Sequence, residues 1–245
     1  VNAVNVTNAI GIVGNTHAVT ITGNISATDA NYILNESVNG TSGIVTAVIT
    51  ADSAANLKTN LANATATDAL TLTVTGTTAT AIDLNALDGK TSVDVNATNI
   101  SELTGTSSEI TTALTSSGIT TVTNGSLSVI VSGTTSVTDI NIINSDSATG
   151  VVTAVANTGD AATLVTLSTD NADKITVTMA NASTSAADLN IINGKTSVAV
   201  NAASISLLTG TIAQVQAAYT ANTAGTITGL GDEAVTVTDV TLSST

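Results

Sequence analysis

The sequence predicts a β-rich repeat protein with short helices, a strand–helix solenoid whose strands run parallel. Three observations carry that expectation. The phrase "DLNALDGKTSVDVNATNISELTGT" (Asp83 to Thr106) returns 105 residues later as "DLNIINGKTSVAVNAASISLLTGT" (Asp188 to Thr211), with 17 of 24 positions identical and no gap. A strand-like phrase occurs five times, as VTITG from Val19, LTVTG from Leu72, VIVSG from Val129, ITVTM from Ile175 and VTVTD from Val235. Segments of helical spacing separate strand phrases about every 25 residues. Self-similarity at a fixed interval is the mark of stacked supersecondary units.

The elements follow in order. "SGIVTAVI" (Ser42 to Ile49) is answered by "TGVVTAVA" (Thr149 to Ala156), so units one and three share one phrase, and units two and four share the other. The chain divides on this reading into a first super-repeat (1–125), a second (126–233) and a terminal strand (234–245) that begins the next unit. Within a unit, TLTVTG puts Leu72 and Val74 on one face and Thr71, Thr73 and Thr75 on the other, the period of two of a strand. TATAIDLNALDG reads as a short helix from near Ala81, opened by Thr and closed by a left-handed Gly89; Ala186 and Gly194 play these parts in the second copy. KTSVDVNA returns to strand alternation, with Val93 and Val95 expected inward, like Val198 and Val200. TGTSSEITTALTSSG reads as a second helix, capped by Thr or Ser and ended by Gly118. The alternative is a string of tandem β-sandwich-like domains. Helical segments, the absence of Pro, Trp and Phe, and only two Tyr favour the solenoid.

Composition narrows the function. No Cys, Pro, Trp, Phe or Arg occurs among the 245 residues, so the core must be built from Val, Ile, Leu and Ala. Four Lys (Lys58, Lys90, Lys174, Lys195) face 18 carboxylates, and this surface repels nucleic acid and anionic membranes. No apolar run approaches the roughly 20 residues that cross a bilayer, so no membrane insertion is expected. Catalysis finds few groups to use. The one imidazole is His17, next to Thr16 and Ala18, and no second His or Cys exists for a triad or a zinc set. The DGK and NGK phrases lack the frame of a phosphate loop, and Lys90 and Lys195 read as cations at helix C-termini.

Calcium is the one cofactor with plausible ligands. The candidates are Asn144 with Asp146, Asp170 with Asn171 and Asp173, and Asp232 with Glu233. Asn and Asp that turn the chain read more simply. Nine Asn-x-Ser/Thr sequons, among them Asn5, Asn24, Asn39, Asn96 and Asn124, are close to what chance supplies in so Asn- and Thr-rich a chain. The T-x-T pairs (Thr20 and Thr22, Thr176 and Thr178, Thr236 and Thr238) suggest an ice-binding face, but read more simply as the outer side of strands.

The repeated DLN-x-x-x-GKTSV-x-VNA phrase resembles the tandem repeats of very large bacterial, notably cyanobacterial, cell-surface proteins. The Thr/Ala/Asn/Val-rich, Cys-free composition resembles S-layer and secreted fibre proteins. The resemblance implies a structural or adhesive role at the cell surface, and it implies no catalytic residue.

The expected function is therefore a non-enzymatic extracellular building block of a surface layer, sheath, fibre or adhesin stalk. A module binding glycan, calcium or ice on a repetitive β face is the alternative. The expected partner is the chain itself. HAVTIT (His17 to Thr22) and EAVTVT (Glu233 to Thr238) nearly match, which suits head-to-tail assembly through a strand carrying Val235, Val237, Val240 and Leu242.

Overall fold

The computed structural model describes residues 18–38, 43–122, 126–146 and 149–239. His17, Val240 and Leu242, and the sequons at Asn5, Asn39 and Asn124, lie outside the described residues. The fold is α/β, and the chain divides into two compact units at Leu127/Ser128.

The first unit runs β1 (Val19–Ile25), α1 (Ala27–Val38), β2 (Val45–Ile49), α2 (Ala54–Asn60), β3 (Ala69–Thr71), β4 (Thr78–Thr80), α3 (Ala81–Asp88), β5 (Val95–Asn96), β6 (Glu102–Gly105), α4 (Ser107–Thr115) and β7 (Ile119–Thr120). The second runs β8 (Leu127–Thr135), α5 (Val137–Ser145), β9 (Thr149–Ala156), α6 (Ala161–Leu164), β10 (Lys174–Thr176), β11 (Ser183–Ser185), α7 (Ala186–Asn193), β12 (Val200–Asn201), β13 (Leu207–Gly210), α8 (Ile212–Ala224), β14 (Ile227–Thr228) and β15 (Ala234–Val237).

In the first unit β1–β2–β3, β4–β6 and β5–β7 pair in parallel. In the second, β9–β10, β11–β13–β15 and β12–β14 do the same. Paired residues are separated by a near-constant stretch of chain, from 21 residues (Thr153 to Lys174) to 27 (Val200 to Ile227). Parallel neighbours require such a crossover, and here it carries a short helix or an irregular turn. Consecutive helices α1 to α4 pack side by side, as do α6 to α8. This parallel pairing excludes antiparallel sandwiches for these strands.

The core is a stack of small aliphatic side chains. The strand register lines up Ile25, Ile49, Leu72, Val95 and Ile119, all buried. The second unit lines up Thr135, Ala156, Val177, Val200 and Ile227 in the same way. Each Leu or Ile placed there contributes about 2 kcal/mol by leaving water. Leu72 and Val74 do point inward, and Ile175, Val177 and Met179 repeat that alternation. The helices open on Ser, Thr or Asp, at Ser53, Thr80, Thr106, Ser136, Asp160, Ser185 and Thr211, each accepting the N–H three residues on. Such a cap is worth about 1 kcal/mol.

Three expectations need correction. Val93 does not point inward: it is 36 % exposed, and Val198 is half-buried. The reason is Thr91, which is buried and stands in for a strand residue. Its hydroxyl donates to the Leu70 carbonyl at 2.7 Å and accepts the Leu70 N–H at 3.0 Å, so the chain bends at Ser92–Val93 and re-enters the ladder at Val95. Thr196 does the same to Ile175, at 2.7 and 2.9 Å.

Gly89 and Gly194 are not left-handed either. Their φ values are −70° and −75°, although the helices do begin at Ala81 and Ala186. Each helix tightens at its end instead, with the Lys90 and Lys195 N–H groups bonding Leu87 and Ile192 carbonyls at 2.9 Å.

Gly118, finally, does not end α4, which stops at Thr115. A Cβ at 118 would lie 2.0 Å from Asp88 Oδ1, so the glycine makes room for a neighbouring carboxylate.

Candidate functional site

The two super-repeats share a set of side-chain bonds that join one strand–helix repeat to the next. Asp68, buried, accepts the Val45 N–H on Oδ1 at 2.9 Å and the Thr65 N–H on Oδ2 at 2.9 Å. Asp173 takes the Val152 N–H at 2.8 Å and the Asp170 N–H at 3.0 Å. The fifth residue of most helices reaches its neighbour. Asn31 accepts the Asn63 N–H, Lys58 pairs with Asp83, and Asn85 and Asn190 each donate to a carbonyl (Glu109, Gln214) at 2.9 Å. Asn141 donates to the Thr166 carbonyl at 2.8 Å and accepts the Ser168 N–H at 2.8 Å. Burial pushes the Asp83 carboxyl upward, but Lys58 and the Thr80 hydroxyl outweigh it, and the group lies below its ordinary value. Nothing local in the sequence marks these roles. Their one trace was the recurrence of Asp, Thr and Asn at an interval of 105.

This placement bears on the calcium candidates. Both oxygens of Asp173 hold backbone N–H groups, and Asp170 Oδ1 accepts the Ala172 N–H at 2.7 Å. Asn144 donates to the Ser168 carbonyl and hydroxyl, and Asp146 caps the C-terminus of α5. Among the described residues, no group of three His, Cys, Asp or Glu side chains could hold a metal ion. Lys90 donates across to the carbonyl of Leu61, at the end of α2, at 2.8 Å; burial and the Lys58 charge hold its ammonium below the ordinary lysine range. Asn96 is a turn former, its Oδ1 accepting the Thr98 N–H and hydroxyl.

An exposed apolar surface lies at β15 and α8. Val235 is 41 % exposed and Val237 half-buried, whereas Val129 and Val131, the same positions of the phrase in β8, are buried. β15 is held to β13 by its ladder, and to α8 by a carboxylate on either flank. Glu233 accepts the Tyr219 hydroxyl and, at 2.7 Å, the Gly231 N–H. Asp239 accepts the Ile212 N–H at 2.9 Å. The hydrogen bond to Glu233 and burial push the Tyr219 phenol up to about 12. Burial draws Glu233 upward, but the Gly231 N–H and the Tyr219 hydroxyl hold it below its ordinary value. Beside the strand, α8 turns a shallow face of Ala213, Gln216, Ala217, Thr220, Ala221 and Ala224 outward.

These features belong to an α/β fold of parallel strands in which the same polar bonds recur 105 residues apart. None of the family models, curated proteins or solved structures compared with the chain matches it. No helix among the described residues is long and apolar enough to cross a membrane.

Proposed function

We propose that each unit is a strand–helix solenoid, and that the protein is a non-enzymatic, extracellular structural repeat that extends by end-to-end self-assembly. The observation carrying this reading is the side-chain code of the joints. Asp68 and Asp173, Thr91 and Thr196, and Asn85 and Asn190 make equivalent bonds in both super-repeats. A fold that devotes most of its buried polar residues, Asp68, Asp83, Thr91, Thr169, Asp173 and Thr196, to bonds between successive passes of the chain is organised for extension, since each joint satisfies groups that a shorter stack leaves open. The exposed Val235 of β15 supports the same reading, because β15 is the last strand of its sheet among the described residues, and a parallel edge with an apolar side chain favours continuation.

Net charge −14 without Arg fits an extracellular or saline setting, and the absence of Cys is compatible with it. That charge also disfavours nucleic acid as a partner. Electron microscopy and light scattering of the purified chain over a concentration series test the proposal. Filaments, sheets or a concentration-dependent ladder of oligomers are expected. A monodisperse monomer at the highest concentration would refute self-assembly.

A further inference from the structure

Resting on that reading, we infer that the partner of β15 is the β2 edge of a second copy, where β15 takes the place of the first half of β1. Three observations converge. β15 and β1 carry the same phrase, EAVTVT against HAVTIT, so Val235 and Thr236 match Val19 and Thr20.

β1 is built to come apart at its middle. Val19 and Thr20 pair with Val45 and Thr46, but the ladder is interrupted before resuming at Asn24 and Ile25, across a left-handed Gly23 (φ 87°). Only Ile25 of the seven residues is buried, so freeing Val19 to Thr22 exposes little apolar surface.

Replacement also keeps both layers continuous. If β15 replaces Val19 to Thr22, strand order continues β13–β15–β2, and helix order continues α8–α1–α2.

The α8 face is made for that helix. Gln216 is the fifth residue of α8, the position from which Asn31, Lys58, Asn85, Asn141 and Asn190 bond the following repeat. Ala213 and Ala217 beside it let another helix approach closely.

Because the chain contains no cysteine, disulfide mapping tests this cleanly. Outward side chains on adjacent strands lie within disulfide reach, and those two strands apart do not. Full-length Thr236→Cys is mixed with Thr46→Cys or with Thr20→Cys, and oxidised mildly after assembly. Replacement predicts linked Thr236→Cys/Thr46→Cys pairs in several-fold excess over Thr236→Cys/Thr20→Cys pairs. The reverse preference would overturn replacement while leaving end-to-end stacking intact. Polymers with neither link would overturn the use of β15 altogether. Chains that stay monomeric would sink both the inference and the function it rests on. Ala217→Arg, on the exposed α8 face, should abolish assembly without moving the melting temperature of the monomer. Unchanged assembly would remove the helix half of the joint.

Discussion

The buried carboxylate of Asp68 accepts a hydrogen bond at 2.9 Å from the backbone N–H of Val45, 23 residues earlier in the chain. Its other oxygen holds Thr65, and its own carbonyl receives Ser92 N–H at 2.7 Å, so one residue ties three successive passes of the chain. Asp68→Ala strands the buried Val45 N–H and leaves the exposed Thr65 N–H to water, and should cost about 1 to 3 kcal/mol. Asp173→Ala should cost a similar amount, and Asp68→Asn roughly half, since the amide keeps one acceptor. Urea unfolding measures these values. Losses below about 0.5 kcal/mol, the range of an ordinary surface change, would show that the clip is dispensable.

The Thr184 hydroxyl is buried without a partner, where Ala79 stands in the first super-repeat. Thr135 is in the same state at the head of the second core column. Thr184→Val keeps the β-branched shape and removes an unpaired polar atom, so it should stabilise by about 1 kcal/mol. Thermal denaturation of Thr184→Val and Thr135→Val decides. A fall in stability in both would mean that the hydroxyls are satisfied in solution.

Gly118 and Gly89 should respond oppositely to alanine. A Cβ at 118 meets Asp88 Oδ1 at 2.0 Å, whereas a Cβ at 89 comes no nearer than 3.7 Å to a carbonyl, at an ordinary φ of −70°. Gly118→Ala should destabilise by about 1 to 3 kcal/mol, through overpacking. Gly89→Ala should be neutral or stabilising by up to about 1 kcal/mol. An Asp88→Ala background should relieve much of the Gly118→Ala cost, and strict additivity in that cycle would refute the steric account.

The Tyr219–Glu233 clip should make the anchoring of β15 depend on pH at both extremes. Glu233 lies below its ordinary 4.5, so its contribution is complete above that pH and is lost as pH falls through the depressed value. Tyr219 is pushed up from 10.0 to about 12, so its contribution is complete below pH 10 and disappears as pH rises through about 12. Protection factors at Ala234 to Val237, taken relative to the intrinsic exchange rate at each pH, should fall in acid in the parent chain, and should be lower and less pH-dependent in Tyr219→Phe. Tyrosinate absorbance in a Tyr32→Phe variant reads the phenol directly. Titration of Tyr219 at or below 10 would show that the clip is absent.

The sequence by itself determined the period, the element types and much of the core. Leu72, Val74, Val95 and Val200 were legible as inward because alternation and burial share a period of two. Ala81 and Ala186 were legible as helix starts because a Ser or Thr before them satisfies a free N–H. Only the tertiary structure decided which polar residues bind across repeats. Thr91 looks in sequence like any strand threonine; its hydroxyl replaces a backbone group only because Leu70 is brought alongside. Gly89 and Gly118 show the same limit. A glycine in sequence signals freedom or room, and only the distance to Asp88 tells which one the fold uses. Asp68, Asn85 and Asp83 read as solvated turn or helix residues until neighbouring passes of chain close over them. Their partners are more than 20 residues away, beyond the reach of any local pattern.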